Sequence, residues 1–164
     1  MRDFLRQFKG REHGPVVQFI KYAIAGAVAT VVHVSLFYFL ASKIFPALNP
    51  TDVLVGLLHL PAADVANVVR ARNSMIDNGI AFIFSNLTAY LINIKWVFES
   101  GRHHPLIEIG SFYLVSGISV VIGSSLMGFL IAHFGIMTTV AFGANGLTSL
   151  LINFVLRKYF IFKK

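Results

Sequence analysis

Cysteine is absent from this chain, which excludes a disulfide scaffold and any thiolate ligand set for a metal. Charge is scarce as well. Only 13% of the 164 residues are Asp, Glu, Lys or Arg, about half the share of an ordinary soluble domain. Acid is scarcest, with 7 Asp and Glu against 14 Lys and Arg. With 56% hydrophobic residues and a mean hydropathy of +0.73, disorder is excluded and a water-soluble monomer with it. No P-loop, His-Glu-x-x-His or Gly-x-Ser-x-Gly motif occurs either. His103 and His104 have no second ligand pair nearby, and Asp52, Asp64 and Asp77 form no motif. Neither an enzyme, a metal site nor a cofactor is therefore expected.

What fills the chain instead is long uncharged runs. Tyr22 to Ser42, Asn78 to Ile94 and Ile109 to Leu156 contain no Asp, Glu, Lys or Arg. A spanning helix needs about 20 apolar residues for a hydrocarbon core of ~30 Å. The last run has 48 residues, which as one helix would reach about 72 Å at ~1.5 Å per residue. It therefore folds back once, with His133-Phe134-Gly135 as the turn. Four transmembrane helices follow, over 18–42, 78–98, 107–132 and 137–160. The first has the basic start of a signal peptide, but its apolar stretch is longer than the 7–15 residues of such a segment, so it reads as a retained span.

The cations lie at particular ends. Eleven of the fourteen Lys and Arg fall in the N-terminal segment, the 95–106 loop and the C-terminal segment. The positive-inside rule puts those three on the cytoplasmic side. The net charge of +7 thus reflects topology and attraction to anionic headgroups, and nucleic acid is not expected as a partner. Residues 43–77 form one long extracytoplasmic segment, broken by Pro46, Pro50 and Pro61. Val65, Val68, Val69 and Ile76 recur there at helical spacing. This is either a short amphipathic helix on the outer surface or a leading extension of the second span.

The two halves resemble one another. Tyr22–Gly26 and Tyr113–Gly117 open similarly, and Ala89–Phe98 aligns without gaps on Asn153–Phe162. The expected architecture is all-α: one polytopic membrane domain over 1–164, its four transmembrane helices built as two parallel two-helix repeats. The first hairpin covers 18–98 with the 43–77 insertion, and the second covers 107–162.

Polar residues at membrane depth are costly and invite a functional reading. His33 lies half-way along the first span. It could contact a sugar or phosphate, take part in a proton step, or make a helix–helix hydrogen bond. Asn86, Tyr90 and Asn93 share one face of the second span, and Asn145, Ser149 and Asn153 share one face of the fourth. Amides both donate and accept, as sugar hydroxyls require. They also serve as hydrogen-bonding glue between helices. Lys21, Lys95, Arg157 and Lys158 fall at cytoplasmic helix ends, where they anchor the spans and could gather a phosphate. Gly26, Gly117, Gly123, Gly128 and Gly146 read as close-packing positions. Ser116, Ser119, Gly123, Ser124 and Gly128 mark the third span as an interface for a homo-oligomer, since one thin bundle leaves little room for a headgroup. A small multidrug-type exporter has the right size, but none of the seven acids is expected deep in a helix to exchange cations.

The motifs F-x-K-Y-x-x-x-G-x-x-x-T-x-x-H from Phe19 to His33, N-x-K-W-V-F from Asn93 to Phe98, and N-F-x-x-R-K-x-F-x-F from Asn153 to Phe162 resemble the GtrA-like family. The resemblance covers residues 18–42 and 78–162. It implies a small four-helix protein of a bacterial or archaeal cytoplasmic membrane, with both termini cytoplasmic. It further implies a part in translocating polyprenyl-phosphate-linked sugars, such as those on undecaprenyl phosphate, for O-antigen, teichoic acid or other surface glycans. An alternative is a non-transporting subunit of a membrane glycosyltransferase. The family motif also lends Lys95 and Arg157 a phosphate-binding reading. Two departures stand out: a longer 43–77 loop, and Ile94 where the family commonly has a basic residue.

Overall fold

The computed structural model describes residues 15–97 and 105–156. All of its described regular structure is helical. Helix α1 runs over Pro15–Lys43, the short α2 over Val53–Leu58, α3 over Asn67–Ile92, α4 over Pro105–Phe134 and α5 over Thr138–Leu156. Three helices are long and apolar enough to span a membrane, namely α1, α3 and α4, and α5 is a shorter apolar helix over its described length. A four-helix membrane protein results. The turn between α4 and α5 falls at the expected place, with Gly135 at φ 65°, a left-handed conformation that glycine adopts without strain.

Each hairpin packs internally, α1 on α3 and α4 on α5, and α3 joins the two by packing on α4. The outside and inside are inverted relative to a soluble bundle. Phe19, Val31, Leu114, Val121, Leu147 and Leu150 are more than half exposed, so they face lipid chains. The buried face of α3 is mostly polar, with Arg70, Asn73, Ser74, Asp77, Asn78, Ser85, Asn86 and Tyr90. Lipid tails are as apolar as leucine, so helices in a bilayer associate through close packing and polar contacts rather than hydrophobicity.

The second span begins at Asn67, not at Asn78, so the reading as a leading extension holds and no separate surface helix forms over Val65–Ile76. Its first turns hold charge and amides that are partly paired at one end of the bundle. Arg70 Nη2 donates to Gly135 O at 3.0 Å and to Asn67 Oδ1 at 2.9 Å. Asn73 Nδ2 donates to Pro46 O at 2.8 Å. The remaining loop folds over the same end. Asp52 caps α2 by accepting from Leu54 N at 3.2 Å, and it also accepts from Thr139 N at 2.9 Å and from the Thr139 hydroxyl. Its carboxylate sits at the N-terminus of α5, where unpaired amides and the helix dipole favour an anion. Below the loop lies an apolar core of Phe37, Tyr38, Leu48, Met127 and Ile131. Phe37 stacks on Phe142 with ring centroids 4.0 Å apart.

At the opposite end α3 widens into a π-helical turn over Asn93–Val97. Such turns are rare and frequent at functional positions. Lys21 packs against it, with Nζ 3.4 Å from Trp96 O and 5.4 Å from the centre of the indole ring. Lys21 is fully buried at this helix end, with its charge turned onto the π turn and the indole face.

Candidate functional site

His33 is the meeting point of the polar groups inside the bundle. Its position two-thirds of the way along α1 directs the ring at α3, where Nε2 lies 2.9 Å from Asn78 Oδ1 and Nδ1 lies 3.0 Å from Ser85 Oγ. Asn78 and Ser85 are seven residues apart, two helical turns, so both face α1. Nε2 donates to Asn78, whose amide oxygen can only accept. The Ser85 hydroxyl is also 3.2 Å from Phe82 O. Asn78 carries the network onward. Its Nδ2 donates to Ser124 Oγ on α4 at 2.6 Å, and its Oδ1 also accepts from Asn145 Nδ2 on α5 at 3.2 Å. One amide therefore ties all four long helices together.

A cavity of about 410 Å³ opens beside this network, within the 300–1,000 Å³ range of small-molecule sites. Its polar lining is Thr30, His33, Asn78, Ser85, Asn86, Asn145 and Ser149, and its apolar lining includes Phe82, Val120 and Phe142. The ring contacts between α1 and α5, Phe37 and His33 on Phe142, lie at the loop end. Away from that end the lining residues Thr30, Val34, Gly143, Gly146 and Leu150 are exposed. The cavity thus faces the lipid between α1 and α5.

Of the residues singled out by sequence, the cavity brings together His33, Asn86, Asn145, Gly146 and Ser149. Tyr90 and Asn93 are buried on the same side of the second span but do not line it. Lys95 is exposed in the π turn. Asn153 belongs to α5, and its side chain, like Arg157 and Lys158, lies outside the described residues. Asn145 bonds Asn78 through its nitrogen, while its oxygen, close to Gly123, is buried with no hydrogen-bond partner among the described residues. Asn86 likewise keeps a buried Nδ2 with no hydrogen-bond partner among the described residues.

Three expectations change. Ser119, Gly123, Ser124 and Gly128 are buried within one copy, against α5 and α3, and so do not form an external oligomer face. A Cβ at Gly123 would overlap Asn145, and one at Gly128 would meet Met75 Sδ at 2.5 Å. Gly26, Gly117 and Gly146 are not close-packing positions, since nothing lies within 4 Å of an added Cβ. Finally, an acid does lie deep in a helix. Asp77 is fully buried in α3, and neither carboxylate oxygen has a hydrogen-bond partner among the described residues. Asn78 and Ser85 are functional positions that the polar stripe Asn86, Tyr90 and Asn93 leaves out; their own i, i+7 spacing on one helix is the signal that groups them.

A small all-helical membrane protein with a polar, lipid-facing cavity is the class these features define. The GtrA/DPMS transmembrane domain family matches residues 21–162, and the chain belongs to it. Membership places it among membrane proteins of glycosyl-carrier-lipid processes. It is 27% identical over 148 residues to the uncharacterised membrane protein YwcD of Bacillus subtilis, covering 87% of this chain and 94% of that one. No solved structure matches.

Proposed function

We propose that the protein is a translocase that moves a polyprenyl-phosphate-linked monosaccharide across a bacterial or archaeal cytoplasmic membrane, without catalysing a reaction. Its termini would be cytoplasmic, and the sugar would go on to a surface glycan. One observation carries this reading: a polar cavity inside the bundle faces the lipid between α1 and α5. A sugar and phosphate must cross about 30 Å of hydrocarbon, whereas a polyprenyl tail is at home there. A laterally open polar slot supplies hydrogen bonds to the head while the tail stays outside. The lining residues here include no acid, and Asp77 is not among them, which disfavours the cation-exporter reading despite its burial. Because the cavity lies within a single copy, an oligomer is not needed to make room for the head group.

The test is reconstitution of the purified chain into liposomes carrying a polyprenyl-phosphate glucose in both leaflets. Membrane-impermeant periodate oxidises the outer pool. Protein-dependent oxidation of the inner pool supports translocation. If that pool stays protected while the chain still co-purifies with, and is required by, a membrane glycosyltransferase, it is an accessory subunit instead.

A further inference from the structure

The cavity's chemistry separates head groups by charge. Its described lining contains no Lys, Arg, Asp or Glu. His33 is the one titratable side chain there, and both of its ring nitrogens already face protein partners, Ser85 and Asn78. An anion in such a place would meet no compensating charge, and burying an unpaired ion is far costlier than burying a hydrogen-bonded hydroxyl. The nearest described cations on the terminal side are elsewhere: Lys21 is packed on Trp96, and Lys95 is exposed. The lining does offer what an uncharged polyol uses. Among the described residues Asn86 keeps an unpartnered amide nitrogen and Asn145 an unpartnered amide oxygen, and Ser85 and Ser149 have further acceptor lone pairs. Phe82 and Phe142 add apolar wall for the C–H surface of a pyranose.

Resting on the carrier-lipid reading, we propose that this cavity binds an uncharged monosaccharide head group and leaves the phosphate outside it. Asn86 is the anchor for the sugar, and the network through His33, Asn78 and Asn145 holds the walls in place. Discrimination therefore follows the charge on the sugar. A neutral hexose enters, and a uronic acid does not. The wall provided by α5 is open beside Gly146, where an added Cβ would meet nothing within 4 Å. A leucine there occupies the space of the sugar without displacing packed atoms.

The experiment measures binding of three probes to the full chain in lipid nanodiscs: citronellyl-phosphate glucose, citronellyl-phosphate glucuronic acid and citronellyl phosphate without sugar. The glucose probe is expected to bind at least tenfold more tightly than the other two. Asn86→Leu and, independently, Gly146→Leu should each bring it down to the level of the sugar-free probe, with Gly146→Leu deciding if Asn86→Leu does not fold. Equal binding of the glucose and sugar-free probes overturns this inference and leaves the carrier-lipid reading standing. Tighter binding of the glucuronic acid probe overturns it also. Failure of all three probes to bind overturns the carrier-lipid reading and this inference with it.

Discussion

His33 Nε2 lies 2.9 Å from Asn78 Oδ1, a contact that fastens the first span to the second inside the bundle. Asn78 then reaches Ser124 and Asn145. Removing the ring deletes two contacts, whereas removing the amide deletes three. His33→Leu should therefore destabilise the protein by about 1 kcal/mol and Asn78→Leu by more, on the scale of about 0.6–2 kcal/mol per interhelical bond in membranes. The double variant should show a coupling of about 0.5 kcal/mol or more. Thermal unfolding in detergent measures all three, and strict additivity would count against a direct contact.

The small residues of α4 make a second distinction. Gly123→Val forces a branched side chain onto Asn145 and Ser149, an overpacking cost of about 1–3 kcal/mol. Gly117→Val, on the same helix but with open space around it, should cost less than half as much. Unfolding midpoints of the two variants, compared in one detergent, check this. Equal losses would return the α4 stripe to an oligomer interface.

Asp52 joins the loop to α5. Asp52→Ala removes the cap of α2 and the anion at the N-terminus of α5, and should cost about 1–2 kcal/mol. Asp52→Asn keeps one acceptor oxygen and should lose less. Protease cleavage within residues 53–66 should accelerate in the same order, read by gel after limited proteolysis.

Gly135 bears two constraints at once, a φ of 65° and the Asn67 amide 3.0 Å from where a Cβ would sit. Gly135→Ala should cost about 1 kcal/mol for the backbone alone, plus the displacement of Asn67 from Arg70. The midpoint of thermal unfolding should fall further in Gly135→Ala than in Gly143→Ala, which meets nothing within 4 Å.

Much of this architecture is legible in the sequence because hydrocarbon excludes charge. The uncharged runs locate α1, α4 and α5, and the length of the last run demands the turn that Gly135 makes. The same logic misplaced the start of α3. It treats every charge as a boundary, yet Arg70 lies inside the helix because Gly135 O and Asn67 receive its guanidinium. Asp77 was hidden by that assumption too. At the site, helical spacing grouped Asn86 with Tyr90 and Asn93, but only packing shows that Asn86 alone of the three lines the cavity. Spacing on one helix is likewise blind to whether Ser124 and Gly123 meet another copy or another helix of the same chain.

If the slot between α1 and α5 is the route of the carrier lipid, closing it stops the lipid, and a chain without cysteine lets that closure be made at chosen positions. Thr30 and Gly146 line the cavity from its two walls. Thr30→Cys and Gly146→Cys, combined in one chain and bridged by a short cleavable bifunctional thiol reagent, close the slot. Movement of polyprenyl-phosphate glucose in proteoliposomes should stop on bridging and return on cleavage of the bridge to free thiols. Undiminished movement through the bridged protein would show that the carrier lipid does not pass through this slot.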